Sequence, residues 1–266
     1  MTRLVHRTVA VLTALSDKTS TLHELHLRTG IHRTTLLRIL EALAEEGLVR
    51  RTADGGQYQL RHAIRQWGRK LTFRDRIVEV AGDLLPAYAE RVKWPTDVLL
   101  LHPSLPCLIV VETNRPKSPF PVKLNHVGHS VPLLPSAAGR TYLAFAPETR
   151  RRSLLDRIIS DGRPSSGLPP NLDALQRDLD EIRERGFGTR VRFFRGGDYR
   201  HDSKEHDGLL AMAVPVHRRD RLVAVVNTQW SAKAHNEAEF AKRTLAQQTE
   251  LARCIEAEIG QASAKR

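Results

Sequence analysis

The stretch that decides the fold is residues 21–43, which read TLHELHLRTGIHRTTLLRILEAL. Its first four residues match the S/T-x-x-E capping box, in which a hydroxyl and a carboxylate satisfy free N–H groups at a helix start. A helix should therefore begin near Leu22 and bury Leu25. Gly30 can adopt the left-handed backbone that ends a helix, and a further helix follows from Arg33. The spacing predicts two helices joined by a tight turn.

The helix that begins at Arg33 has an apolar face and a polar face. Its apolar residues recur at three- and four-residue steps, the spacing of one buried stripe, and they are Leu36, Ile39, Leu40 and Leu43. Small hydroxyls and arginines lie near its N-terminal half, the part of a recognition helix that enters the major groove of DNA. The candidate DNA-binding residues of this helix are Arg33, Thr34, Thr35 and Arg38.

A further helix and a β-hairpin are predicted on either side of this pair. The first helix should bury one apolar face, formed by Val5, Val9, Leu12 and Leu15. Two short strands, over residues 48–52 and 57–60, flank the turn Asp54-Gly55-Gly56. This order is that of a winged helix-turn-helix, and it places Arg50 and Arg51 on the wing, where they would meet phosphate.

Charge supports a nucleic-acid partner for this first part of the chain. Residues 1–72 hold 12 Lys and Arg against 6 Asp and Glu, whereas the net charge of the whole chain is +12. About a quarter of the residues thus carries half of the excess charge, and a positive face attracts the phosphates of DNA. The alternative is a small structural helical domain that never touches DNA, and the charge argues against it.

Composition sets the broad class of the protein. The chain has 266 residues, of which 41% are hydrophobic and 27% charged, which suffices for one large domain or two ordinary ones. Cys107 and Cys254 are its two cysteines; they imply neither a disulfide framework nor a zinc site. No transmembrane run or signal-peptide core is visible. We therefore expect a cytoplasmic protein with no membrane partner.

The remainder of the chain predicts a second domain behind a linker. Residues 1–60 form the DNA-binding domain, residues 61–74 a basic linker helix, and residues 75–266 the second domain. A helix over Asp75–Val92 should be kinked or ended by Pro86. Strands are then expected over 97–102, 107–113, 121–124, 187–193, 208–217 and 222–230, with helices over 135–146, 148–160, 172–185 and 237–259. The fold class is therefore α+β with an antiparallel sheet.

Several segments resemble IclR-type transcriptional regulators across nearly the whole chain. After the winged helix-turn-helix, they are VPLLPSAAGRT at 131–141, ERGFG at 184–188, AMAVPV at 211–216 and VAVVN at 223–227. Within that family, HRTT at 32–35 and WPTDV at 94–98 are most similar to activators of 3-(3-hydroxyphenyl)propionate catabolism. The resemblance implies a regulator of an aromatic-acid catabolic operon that responds to an aromatic carboxylate.

The resemblance also implies a GAF-like effector-binding domain at the C-terminus and a homodimer or homotetramer. Dimers would form through the N-terminal part and tetramers through the C-terminal domains. Matched by segment, the effector-binding residues become Ala137, Ala138, Gly139, Arg190, Leu210, Asn227 and Gln229. The sequence departs from the family at Arg190 and Leu210, where relatives often carry an acidic residue and then a cysteine. His26 stands where the second helix usually carries alanine.

A carboxylate effector needs a positive, hydrogen-bonding site. Arg190 can bind a carboxylate through two parallel hydrogen bonds, and the helix that starts at Ser136 offers free backbone N–H groups. Asn227 and Gln229 point to the same side of a strand and could form a pocket floor. The alternatives are a solvated arginine at a strand edge and an exposed sheet face.

Catalytic and metal chemistry find little support in the sequence. The loop from His201 to Asp207 holds five potential metal ligands, but a solvated loop is the simpler interpretation, and neither a metal nor another cofactor is expected. Ser136 lacks the G-x-S-x-G context of a nucleophile. Two function classes remain: a ligand-responsive regulator of double-stranded promoter DNA, or an enzyme or small-molecule-binding domain fused to a nucleic-acid-binding module.

Overall fold

The computed structural model describes residues 2–52, 55–62, 64, 72–120, 127–161, 172–201 and 203–261. The chain divides into two compact units, Met1–Thr72 and Phe73–Arg266. Unit 1 contains helices α1 (Thr2–Asp17), α2 (Leu22–Thr29) and α3 (Arg33–Glu45), followed by strands β1 (Val49–Arg51) and β2 (Tyr58–Leu60). The two strands pair in antiparallel fashion, as the sequence predicted for the wing.

Local signals fix the helix boundaries of unit 1. The capping box is formed, since the Thr21 amide donates to Glu24 Oε2 at 2.7 Å and the Glu24 amide donates to Thr21 Oγ1 at 3.2 Å. Gly30 ends α2 in the left-handed region with a φ of 67°. The Ser20 and Tyr58 backbones exchange two hydrogen bonds, which attach the segment before α2 to the wing.

The core of unit 1 confirms the stripe predicted for α3 and the C-terminal half of the face predicted for α1. Leu25 and the four apolar residues of the α3 stripe are buried. In α1, Leu15 is buried and Leu12 packs against the core, as predicted. Val5 and Val9, however, are 62% and 55% exposed. An apolar strip is thus left exposed on the N-terminal half of α1.

Unit 2 is built on a six-stranded antiparallel sheet with the order β5-β4-β3-β8-β7-β6. Its strands are β3 (Thr96–Leu101), β4 (Cys107–Thr113), β5 (Ser130–Pro132), β6 (Gly188–Thr189), β7 (Leu209–Arg218) and β8 (Arg221–Ser231). Its helices are α4 (Phe73–Val92), α5 (Ala137–Phe145), α6 (Glu148–Asp161), α7 (Leu172–Arg185) and α8 (Glu237–Gln261), with a 3-10 turn at Arg115–Lys117. The predicted α+β class is confirmed.

Helices cover both faces of this sheet. Alternate strand residues point to opposite faces: Val98 and Leu100 pack with α4 and α8, whereas Leu99 packs with α5, α6 and α7. A two-residue turn joins β7 to β8, and its residues Arg219 and Asp220 both have positive φ, as a tight hairpin requires. No helix in the described ranges is both long and apolar enough to cross a membrane.

The structure differs from the predictions for the second domain at three places. Helix α4 runs through Pro86 to Val92, so the alternative in which Pro86 ends the helix is wrong. The strand expected over 187–193 is reduced to Gly188–Thr189, because the Arg190 guanidinium and the Val191 amide make contacts outside the sheet. A short strand that was not predicted, β5, lies at the sheet edge. The strand predicted over 121–124 and most of the linker helix lie outside the described residues.

Helix α5 is held against the sheet by polar contacts and one glycine. Thr141 Oγ1 donates to the Ala213 carbonyl of β7 at 3.1 Å. The buried Arg140 guanidinium pairs with Asp178 of α7 and donates to the Thr189 carbonyl. A side chain at Gly139 would overlap the backbone of Leu133, so only glycine lets α5 approach that closely.

We expect Gly139→Ala to lower the free energy of unfolding by about 1–3 kcal/mol, because the new methyl group must displace a packed backbone. Urea unfolding followed by circular dichroism would measure this. The matched control is Gly260→Ala in α8, where a new Cβ would have no heavy atom within 4 Å. Equal unfolding midpoints for the two variants would show that the close approach of α5 is unimportant.

Candidate nucleic-acid interface and ligand cavity

The N-terminal half of α3 presents the predicted basic surface of unit 1. Arg33, Thr34 and Arg38 are exposed, and Thr35 is half-buried. Two of these side chains are held in place: Arg33 Nη2 lies 2.7 Å from His23 Nδ1, and Thr34 Oγ1 lies 2.9 Å from His32 Nδ1. Among the described residues, the Arg38 guanidinium has no hydrogen-bond or ionic partner.

Charge is segregated along α3. Its basic residues are in the first six positions, whereas the exposed carboxylates Glu41 and Glu45 follow on the C-terminal half. The helix dipole adds positive potential at the same N-terminal end. This half of α3 is therefore the part suited to an anionic partner.

The two wing arginines make different contacts. Arg51 donates from Nε and Nη2 to the Tyr58 hydroxyl at 3.0 and 2.7 Å, and its guanidinium lies 5.0 Å from the centre of that ring. Arg50 is exposed, and its Nη1 lies 3.3 Å from the Arg51 carbonyl. The cross-strand partner Tyr58 thus holds Arg51 in one orientation on the wing.

Unit 2 contains a small cavity, of about 40 Å³, between the sheet, the start of α5 and the segment 194–207. It brings together five of the predicted effector residues, which are Ser136, Ala137, Arg190, Asn227 and Gln229. The other predicted residues do not line it. Ala138 is buried in the apolar core beneath α5, and Gly139 is packed on Leu133.

Leu210 also lies away from the cavity, on the opposite face of β7. There it packs beside Trp230 and Phe240, whereas its neighbours Leu209 and Ala211 line the cavity. Side chains alternate along a strand, so an offset of one residue moves a side chain to the other face. The segment match to the family therefore places Leu210 on a strand that lines the cavity, but on the opposite face of that strand.

Arg190 is buried, with 6% of its surface exposed, which overturns the alternative of a solvated arginine at a strand edge. Its Nη1 donates to Asp207 Oδ2 at 2.9 Å, and its Nη2 donates to the Phe194 carbonyl at 2.6 Å. The guanidinium also lies 4.7 Å from the centre of the Phe194 ring. Its Nε has no hydrogen-bond partner within the described part of the chain.

Asp207 reaches Arg190 because of the shape of the segment before it. Gly196 has a φ of 98°, and a side chain there would overlap the Asp207 carboxylate. The Asp207 amide donates to the Arg195 carbonyl, and Asp207 Oδ1 accepts from the Leu209 amide. These contacts bring Phe194, Gly196, Gly197 and Asp207 to the cavity, with the Asp207 carboxylate on Arg190.

Asn227 provides an unused amide at the floor of the cavity. It is 4% exposed, and no hydrogen bond to its side chain is formed by any described residue. Buried amides normally have partners, so this group is suited to a bound molecule. Gln229, two residues further along β8, lines the same cavity and is half-buried, which overturns the alternative of an exposed sheet face.

A second charge in the cavity wall, Asp97, was not predicted. It is 1% exposed and accepts from Arg115 Nε and Nη2 at 3.0 and 2.7 Å and from Thr113 Oγ1 at 2.7 Å. Its charge is thus neutralised within the protein. The available signal was an aspartate inside the apolar run TDVLLL, where a buried carboxylate requires a partner.

Ser136 and the His201–Asp207 loop have structural roles in this arrangement. The Ser136 hydroxyl accepts from the Gly139 amide at 3.0 Å and donates to the Pro132 carbonyl, so it caps α5 and is not free to act as a nucleophile. Within the described residues, no group of three or more His, Cys, Asp or Glu side chains is placed to hold a metal ion.

Comparisons with known proteins find similarity over the N-terminal part of the chain and over most of its length. The family model described as the HVO_A0261 N-terminal domain matches residues 1–63. "Probable transcriptional regulator SauR" of Cupriavidus necator is 25% identical over 199 residues, which cover 74% of this chain and 73% of that protein. "Probable HTH-type transcriptional regulator ArcR" of Halobacterium salinarum is 31% identical over 125 residues, which cover 47% and 43%.

Solved structures match over nearly the full length. An IclR homolog from Microbacterium sp. strain HM58-2 superposes with a TM-score of 0.57 at 19% identity, covering 96% of this chain and 97% of that one. The Thermotoga maritima IclR gives a TM-score of 0.53 at 19% identity, covering 98% and 100%. The chain thus combines a winged helix-turn-helix with a helix-covered antiparallel sheet. It has the fold of the IclR regulators.

Proposed function

We propose that this protein is a transcriptional regulator whose affinity for promoter DNA responds to a small carboxylate bound in unit 2. The observation that carries the proposal is the cavity beneath α5, where buried Arg190 and the unpartnered Asn227 amide meet. A protein with a basic recognition helix in one unit and such a cavity in the other has the parts of a ligand-controlled DNA-binding protein. The names of the relatives support the same function.

The DNA-binding part of the proposal assigns two roles. Arg33, Thr34, Thr35 and Arg38 would face base edges in the major groove, because they lie on the exposed, basic half of α3. Arg50 and Arg51 would contact phosphates from the wing. Base contacts give sequence preference, whereas phosphate contacts give affinity for any sequence.

The ligand part of the proposal rests on the charge and size of the cavity. A ligand carboxylate would pair with Arg190, aided by the start of α5 at Ser136 and Ala137. A volume of about 40 Å³ holds little more than a water molecule, so an aromatic acid requires residues 194–207 to move outward. The ligand carboxylate would then take the position of the Asp207 carboxylate on Arg190. The motifs shared with aromatic-acid regulators favour an aromatic acid and a catabolic operon as the target.

Assembly into a homodimer or homotetramer completes the proposal. The apolar strip of α1, formed by Leu4, Val5 and Val9, is exposed, and an exposed apolar strip on a short helix is typical of an interface. A symmetric dimer presents two recognition helices, which fits a pseudo-palindromic operator. A regulator of promoter DNA acts in the cytoplasm. The alternative of a fused enzyme loses support, because Ser136 is a helix cap and the matched relatives are named as regulators.

We expect Arg38→Ala to cost about 1–3 kcal/mol of binding to a promoter fragment selected by the wild-type protein and to relax preference at one base position. Arg51→Ala should instead weaken binding to all sequences alike and reduce its salt dependence. Fluorescence anisotropy over a salt series measures both effects. Arg177→Gln, which removes an exposed charge from α7, is the control. If Arg38→Ala and Arg51→Ala both bind the promoter fragment with wild-type affinity, the proposed interface is wrong.

We expect Asp207→Asn to tighten binding of 3-(3-hydroxyphenyl)propionate about tenfold, because the competing carboxylate is removed while the hydrogen bond from the Leu209 amide can persist. Arg190→Gln should abolish binding. Titration calorimetry on the full chain measures both, with Glu205→Gln as the control from the same segment. If Asp207→Asn binds the acid no better than Glu205→Gln does, the exchange of carboxylates is wrong.

A further inference from the structure

A second, open site lies at the other end of α5. The cavity with Arg190 adjoins the start of this helix, whereas a groove of about 530 Å³ adjoins Tyr142 near its end. The groove is formed by the start of α4, the end of β3, the start of β8 and the start of α6. Its basic residues are Arg74, His102, Arg150 and Arg221. None of the described residues that line it is a carboxylate.

The arginines of the groove carry positive charge that the protein leaves uncompensated. Arg150 and Arg221 are exposed and have neither a hydrogen-bond nor an ionic partner among the described residues. Arg74 is half-buried and fixed, since its Nη1 donates to the Leu101 carbonyl at 2.7 Å. A guanidinium presents several N–H donors in one plane, which suits phosphate and carboxylate groups.

Tyr142 adds a buried hydroxyl group to this cluster of arginines. Its side chain is buried, with 7% exposed, and its hydroxyl has no hydrogen-bond partner in the described part of the chain. Burial raises the pKa of the Tyr142 phenol, while the nearby charges of Arg150 and Arg74 act in the opposite direction. The phenol therefore stays protonated at neutral pH and can donate a hydrogen bond to an anion held by these arginines.

Two further donors face the same space. His102 Nδ1 accepts hydrogen bonds from the Ser104 and Leu105 amides at 3.1 and 3.0 Å, so in the neutral ring the proton is on Nε2. Pro147 lines the groove directly before α6, which brings the positive end of that 14-residue helix to the site. The remaining walls are apolar and include Leu101, Pro103 and Leu222.

We propose that this groove is a second ligand site, which binds a small organic dianion through Arg74, Arg150, Arg221 and the Tyr142 hydroxyl. The shared chemistry is a doubly charged oxyanion group, such as a phosphate monoester or a pair of carboxylates, on a compact apolar body. Three guanidinium groups with no lining carboxylate favour a double charge over a single one. The apolar walls favour an organic ligand over a bare ion.

Titration calorimetry of the full chain against phenyl phosphate, phthalate, benzoate and inorganic phosphate tests the site. The two organic dianions should bind, and benzoate should bind at least about tenfold more weakly because it carries one charge. Phenyl phosphate alone would identify a phosphate site, and phthalate alone a dicarboxylate site. Inorganic phosphate that binds as tightly as both organic dianions would overturn the role of the apolar walls. No heat from either organic dianion at millimolar concentration would overturn the proposal.

Variants separate this site from the cavity with Arg190. Tyr142→Phe keeps the packing of the ring and should weaken dianion binding about tenfold through the lost hydrogen bond. Arg150→Gln should weaken it at least as much, whereas Arg177→Gln should leave it unchanged. Arg190→Gln should also leave it unchanged, so the groove can be confirmed even if the cavity binds no effector. Equal binding by Tyr142→Phe, Arg150→Gln and Arg177→Gln would refute the assignment.

Discussion

The position of α5 against the sheet is the constraint on which both the cavity and the groove of unit 2 depend. Gly139 brings the helix onto the Leu133 backbone, Thr141 bonds it to β7, and Arg140 ties it to α7 and to the end of β6. At this distance from the sheet, α5 leaves a closed cavity at its start and an open groove at its end. A small change in the distance between α5 and the sheet would alter both spaces together, because a packed interior transmits displacement.

The two ion pairs of the cavity wall differ in geometry and in exposure. The Asp97 carboxylate accepts two hydrogen bonds from Arg115 and one from the Thr113 hydroxyl, and both partners lie in or beside the sheet. Arg190 donates to one carboxylate oxygen of Asp207, which is partly exposed. Its Nε has no hydrogen-bond partner among the described residues. The first pair is suited to holding the structure, whereas the second is suited to exchange with a ligand.

Features encoded by neighbouring residues could be predicted from the sequence. The capping box at Thr21, the left-handed Gly30 and the stripe of α3 depend on contacts within a few residues, and the structure confirms them. The exposure of Val5 and Val9 in α1 could not be predicted, because tertiary packing decides which apolar residues of a helix are buried. The edge strand β5 exists through its pairing with β4, which no local pattern reveals.

The candidate cavity shows the same limit. Five of its residues followed from the family resemblance and strand periodicity, but Asp97 and Asp207 acquire their roles from partners 18 and 17 positions away. Leu210 shows how an alignment offset of one residue changes the face of a strand. The groove near Tyr142 joins residues from five separate elements, so no single segment carries its signature.

The carboxylate of Asp207 on Arg190 also has a consequence for discrimination among cellular metabolites. Short acids such as acetate offer Arg190 nothing that Asp207 does not already provide, and Asp207 is held beside it at high local concentration. A molecule can compete only if it gains additional contacts, for example with the amides of Asn227 and Gln229 or with the Phe194 ring. In the proposed exchange of carboxylates, Asp207 would thus exclude abundant small acids, whereas a larger acid with matching polar groups could displace it.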